Sequence, residues 1–226
     1  MSKRRDLKLF QLPDLLHIPS SENGEDFVDL SLVFPDIHAE CHRLEYPLEL
    51  RKILVRQVVA LKLVHIQEKL FKFFPGYQLR VVEGYRHPKY QKKYFEEQFL
   101  DLKIKFPKLS SEELDVLTHQ YIAHPDVAGH PTGGAVDLTL QFNGTPIDMG
   151  SQIADFSDPE KMPTFSHSLT ALQQNNRILL HDLMIAEGFA PFYGEWWHFS
   201  YGDREWAAFY ENPTAIYDAK ILEFEC

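Results

Sequence analysis

Covalent staples are nearly absent from these 226 residues: there are two cysteines, Cys41 and Cys226, and no CxxC pair. That count excludes a disulfide framework. Long apolar runs are missing too. A membrane span needs about 18 consecutive apolar residues, and the longest candidates, such as Val58 to Ile66, are broken by Lys62 and His65. Basic charge is scarce, with 23 Lys and Arg against 33 Asp and Glu and a formal charge of −10. The sign is wrong for tracking a phosphate backbone, so neither nucleic acid nor membrane is expected as a partner. Lys3, Arg4 and Arg5 begin like a signal peptide, but Asp6, Lys8, Gln11 and Asp14 interrupt any apolar stretch behind them. The expected location is therefore the cytoplasm. No repeat and no low-complexity linker divides the chain.

What is present reads as one α+β domain, a central antiparallel sheet with flanking helices. Residues 1–46 read as an irregular segment packed on a domain of residues 47–226, because Pro13, Pro19, Ser20, Ser21, Asn23 and Gly24 signal loops. Pro47 opens a helical pattern running to Phe74, with Leu50, Ile53, Leu54, Leu61, Val64 and Leu70 at helical spacing. Tyr77 to Glu83 is β-prone. Further helices are predicted from Lys89 to Leu102, from Ser110 (which has capping-box spacing to Glu113) and from Leu169 to Glu187. Ala135 to Phe142 alternates as a strand should. Asn143-Gly144 is a hairpin signal, with Thr145 to Met149 returning. Trp196 to Tyr201 reads as an aromatic strand.

Two clusters stand out among the 11 histidines. One is His130-Pro-Thr-Gly-Gly-Ala-Val-Asp137, a glycine-rich loop entering a strand. The other is Glu195-Trp-Trp-His198. A catalytic zinc uses three nitrogen or oxygen ligands and keeps a fourth position for water, and His130, Asp137 and His198 are such a set. Asp137 lies inside an otherwise apolar strand, where an unpaired carboxylate is costly; a metal and a buried arginine are equally good remedies. Glu195 is either an acid/base group or a solvated loop carboxylate, and His198 either a ligand or a packed strand residue. On a regular strand residues three apart face opposite ways, so a shared site requires a bend near Glu195, which Gly194 permits. Arg86, in Gly84-Tyr85-Arg86, could pair with Asp137 or hold an oxyanion with its guanidinium fork.

Gly84-Tyr85-Arg86 after a strand, His130-x-x-Gly133-x-Ala135-x-Asp137 entering one, and Glu195-x-Trp197-His198 near the C-terminus occur in this order. Together they resemble the zinc D-alanyl-D-alanine peptidases, a group that includes vancomycin-resistance dipeptidases, related carboxypeptidases and peptidoglycan-cleaving endolysins. The likeness covers residues 47 to 210, and the double Trp, the Asp148-Met149-Gly150 segment and the single domain fit the dipeptidase branch best. The resemblance implies one zinc ion per chain at the sheet, held by His130, Asp137 and His198. It further implies Glu195 as catalytic base, Arg86 steadying the tetrahedral intermediate, and a small peptide, D-alanyl-D-alanine or a close relative, as substrate. A D,D-carboxypeptidase, a peptidoglycan endopeptidase and a non-catalytic zinc-binding module are the alternatives. Ala128 stands where the family often has serine. Ile153-Ala154-Asp155-Phe156 replaces a Phe-Asp stretch whose aspartate helps grip the substrate amine, so either Asp155 has moved into that role or the grip differs. The polar stretch from Glu97 to His124 could cap the cavity. His124 and His167 are the reserve candidates for the metal shell.

Overall fold

The computed structural model describes residues 7–223. In chain order it forms α1 (Leu12–Leu16), β1 (Phe27–Asp29), α2 (Leu30–Val33), β2 (His38–Ala39), β3 (Leu54–Arg56), α3 (Gln57–Phe73) and β4 (Tyr77–Glu83). These are followed by α4 (Pro88–Lys105), α5 (Ser111–His119), β5 (Ala135–Phe142), β6 (Thr145–Pro146), α6 (Ala171–Ala186), β7 (Ala190–Pro191), β8 (His198–Ser200) and α7 (Arg204–Phe209). No described helix is long and apolar enough to cross a membrane.

Strand β5 organises the molecule. It lies between β4 and β8, with β2 beyond β4, β7 beyond β8 and β6 folded back on its own end after Asn143-Gly144. The α+β class expected from the sequence holds. The sheet is antiparallel except at its β2 edge, where His38–Ala39 runs parallel to β4. Alternation sends Val136, Leu138 and Leu140 of β5 to one face, into a core shared with Leu79 and Val81 of β4. Leu63, Ile66 and Leu70 of α3 and Leu180 and Met184 of α6 complete that core. The opposite face carries Asp137, Thr139 and Gln141.

Helix starts follow their local chemistry. Ser110 accepts from Glu113 N at the start of α5 and Thr170 from Gln173 N at the start of α6, each a closed capping box. The helical pattern from Pro47 breaks into two parts, however. Leu48–Leu50 is a 3-10 turn, and α3 begins only at Gln57. Between them Leu54–Arg56 pairs antiparallel with Phe27–Asp29, a partner some thirty places upstream that local spacing could not reveal. Within the segment read as irregular, residues 7–46 carry the short elements α1, β1, α2 and β2 and send Leu30 and Ile37 into the core. Those elements are too short for a periodic signal and are held by tertiary contacts. Beta-8 is likewise shorter than the aromatic strand expected from Trp196, and β7 is a strand of two residues that the sequence did not announce.

Candidate active site

Strand register builds the site. Asp137 lies directly opposite His198 on β8 and opposite Glu83 on β4, so one row of three side chains crosses the polar face of the sheet. A register shift between Val81 and Glu83 makes this row, because without it Val82 would face Asp137. His130 reaches the same place from a 3-10 turn just before β5. Ligand atoms of His130, Asp137 and His198 lie within 4.8 Å of one another, and among the described residues no other His, Cys, Asp or Glu group converges in this way. His124 packs edge-on against Phe95, and His167 is exposed.

The donors are pre-oriented. His130 Nδ1 lies 2.7 Å from the Gly84 carbonyl, which can only accept, so Nδ1 carries the proton and Nε2 presents its lone pair inward, 3.4 Å from Asp137 Oδ1. His198 Nδ1 is 3.1 Å from the same oxygen. The imidazole rings meet edge to face with centroids 4.9 Å apart. Burial raises the Asp137 pKa, but His130 and then His198 outweigh it and hold the carboxyl well below its usual range. Among the described residues the ion-pair partners of Asp137 are His130 and His198, not an arginine.

The turn around the loop carrying His130 is held by Arg56, fully buried between Phe27 and Tyr217. Its Nε donates to Thr132 O at 2.7 Å and its Nη atoms to both Glu22 oxygens, at 2.8 and 2.9 Å. Close approach explains the glycines. Gly133 has φ +73°, and a Cβ there would sit 2.2 Å from the Phe27 ring; one on Gly134 would sit 2.3 Å from Tyr201 O.

Glu195 reaches the site through the required bend, a turn between β7 and β8. Glu195 N donates to Phe192 O (3.0 Å) and His198 N to Glu195 O (3.4 Å). Trp196 anchors the turn, its N donating to Met162 O and its indole to Ser151 Oγ at 2.9 Å, while Trp197 is buried in the core. Burial pushes the Glu195 carboxyl up to about 7, with His198 pulling it down and Asp137 pushing further up.

Arg86 pairs with Glu83. Its Nε donates to Glu83 Oε1 and its Nη1 to Gln91 Oε1, each at 2.8 Å, while Nη2 forms no hydrogen bond among the described residues. Glu83 also receives Arg43 Nε at 2.9 Å and the Tyr46 hydroxyl at 3.2 Å. Burial pushes this carboxyl up, yet Arg86 and then Arg43 prevail and hold it well below its usual range. Glu83, Arg43 and Gln91 were missed by the motif reading. The available signal was a charged residue ending a β-prone run three places before Arg86.

A pocket of about 70 Å³ adjoins the three donors and is lined by Arg86, Ala128, Glu195, Trp197 and Glu205, with His119 to Ala123 closing one side. The end of the Glu97–His124 stretch thus forms part of the wall. Asp155 lies elsewhere. It is half-buried, accepts from Ser157 N and Oγ, and lines a wider cleft of about 890 Å³ that shares Arg43 and Ala154 with the pocket.

Comparison with known proteins adds a lineage. Residues 25–225 match the family described as D-ala-D-ala dipeptidase. A D-alanyl-D-alanine dipeptidase of Enterococcus faecalis is 31% identical over 172 residues, covering 73% of this chain and 81% of that protein. One from Synechocystis sp. is 37% identical over 89 residues, 34% of this chain and 36% of the relative, so the match spans about a third of the length of that protein. Among solved structures, the LdcB LD-carboxypeptidase aligns over 91% of this chain and 85% of its own at 21% identity and a TM-score of 0.47.

Proposed function

Because the chain belongs to the D-Ala-D-Ala dipeptidase family of peptidases, we propose that it is a zinc metallopeptidase hydrolysing D-alanyl-D-alanine or a closely related small dipeptide. The observation that carries this reading is the convergence of His130, Asp137 and His198 beside a pocket that also holds a buried carboxylate. Two imidazole nitrogens and one carboxylate oxygen, with an open side, suit a single catalytic zinc. When bound, that ion lowers the pKa of a water and polarises the scissile carbonyl.

The protein groups do the rest. Glu195 takes the proton of the attacking water and returns it to the leaving amine; a carboxyl near 7 is matched to both transfers at neutral pH. Arg86, gripped at Nε and Nη1, keeps Nη2 for the oxygen on which negative charge develops. Glu83 fixes that guanidinium, and the Gly84 carbonyl fixes the His130 tautomer. A closed fourth ligand would suit a structural metal, whereas this donor set stops at three and stands beside a base, which favours catalysis over a non-catalytic module.

Metal analysis paired with a D-Ala-D-Ala hydrolysis assay tests the proposal. The expected result is one zinc per chain, with turnover lost to a chelator and restored by Zn²⁺. Turnover indifferent to chelation, or zinc-loaded protein that cleaves no peptide, would overturn it. The wide cleft beside the pocket favours one rival, a carboxypeptidase taking longer peptides; preferential cleavage of a stem peptide ending in D-Ala-D-Ala over the free dipeptide would establish that instead.

A further inference from the structure

The acidic groups near the three donors are not equivalent. Asp137 faces both imidazoles, Glu195 occupies the turn before His198, and Asp148 and Asp155 line the wider cleft. Each of the latter pair is engaged already, Asp148 by Gly150 N and Gln173, Asp155 by Ser157. Glu205 of α7 differs. It lines the pocket at the donors, and its carboxylate forms no hydrogen bond or ion pair among the described residues. Its charged neighbours are His198, Asp203 and Glu195, while Arg86 is bound up with Glu83 on the β4 side of Asp137.

Glu205 also lines a small adjoining pocket of about 50 Å³, whose wall is largely apolar: Phe10, Leu15, Ala123 and Phe192, with His119 and Tyr121. Phe10 and Leu15 come from around α1, upstream of the family match at residue 25. Helix α1 stays there because Leu12, Leu15 and Ile18 bury against Val127, Ala207 and Ala215, which seats it on the same α7 that carries Glu205. The pocket therefore combines room for a methyl-sized side chain with one uncompensated carboxylate.

We propose that this pocket receives the N-terminal residue of the dipeptide, with Glu205 as the anchor of the substrate α-ammonium and the Phe10–Leu15 segment as the wall that limits the side chain to methyl size. The inference rests on the peptidase reading above and adds to it the residues that read the first substrate residue, Glu205 for its amine and the Phe10–Leu15 segment for its side chain. In this arrangement the amine would lie on the His198 side of the three donors and the developing oxyanion on the Arg86 side, which fixes the direction in which the dipeptide lies.

The test uses zinc-loaded wild type and Glu205→Gln, with D-Ala-D-Ala and N-acetyl-D-Ala-D-Ala as substrates, and zinc content and melting temperature as controls. A hydrogen-bonded charge contact predicts that wild type prefers D-Ala-D-Ala to the acetylated peptide, and that Glu205→Gln raises KM for D-Ala-D-Ala about 10- to 100-fold, with kcat and zinc content nearly unchanged, and so erodes that preference. Equal losses on both substrates, a loss of zinc, or an unchanged KM would overturn the assignment while leaving the peptidase reading intact. A wild-type enzyme that cleaves neither peptide would remove that reading and this one together. Ala123→Leu gives an independent arm that leaves the carboxylate untouched: filling the pocket should favour Gly-D-Ala over D-Ala-D-Ala, and an unaltered preference would count against the pocket.

Discussion

The two faces of β5 are buried to almost the same degree and do opposite work. Val136, Leu138 and Leu140 are fully covered, and so, to within a few per cent, are Asp137 (3%) and Gln141 (2%). On the first face burial itself is the favourable term, since apolar area leaves water and meets α3 and α6. On the second, burial is a cost that must be met residue by residue. Asp137 meets it with two imidazoles and Glu83 with two guanidinium groups, while Gln141 meets it in part, its Nε2 donating to Gln78 and its Oε1 left without a partner among the described residues. The lesson is that one strand can hold the core rigid with its even positions and a chemically strained site with its odd ones. The rigidity of the first is what makes the geometry of the second reproducible.

Substitutions that touch one face and spare the other break this comparison, and the largest effect belongs to the proposed base. Glu195→Ala should cut hydrolysis about 10²- to 10⁴-fold, while zinc content stays at the wild-type level because Glu195 is not among the three donors; steady-state kinetics and metal analysis on one preparation decide this. Next comes Glu83→Gln, which leaves Arg43 and Arg86 without their shared buried counter-charge. Chemical denaturation should register a loss of about 3–5 kcal/mol, accompanied by a lower kcat as the Arg86 fork loses its grip. A variant stable as wild type would mean that the row across the sheet is not coupled. Leu138→Ala works on the opposite face. It should cost about 2–5 kcal/mol in urea unfolding, with zinc stoichiometry and KM retained, and altered metal binding would show that the faces are not independent. The smallest change is expected from Thr170→Ala, which removes the α6 cap far from the donors: about 1 kcal/mol, read as a lower melting temperature with turnover unaffected.

Much of the site was legible because its residues come in short, chemically unusual strings. His130 to Asp137 joins an imidazole, a glycine-rich turn and a carboxylate in a strand, and Glu195 to His198 joins a carboxylate and an imidazole across a glycine-permitted bend. The helix starts at Ser110 and Thr170 and the alternation of β5 were equally local. The misreadings share one cause. Leu50, Ile53 and Leu54 have helical spacing, yet Leu54–Arg56 is a strand because Phe27–Asp29 is there to pair with it. Asp137 was one of two roles open to Arg86, beside holding an oxyanion; its ion-pair partner is Glu83, three residues away, because the register shift in β4 turns Glu83 onto the site face. Glu205 and the wall from α1 carried no motif at all.

By itself, the amino-acid sequence determined which donor types exist, in what order, and on which local structures they ride, since propensity, alternation and capping act over a few residues. Only the tertiary structure decided who meets whom. Gly84 orients His130 across 46 positions, and Asp137 faces His198 across 61. Those meetings depend on strand register, one irregularity in β4 and the packing of helices on the far face, none of which has a local signature.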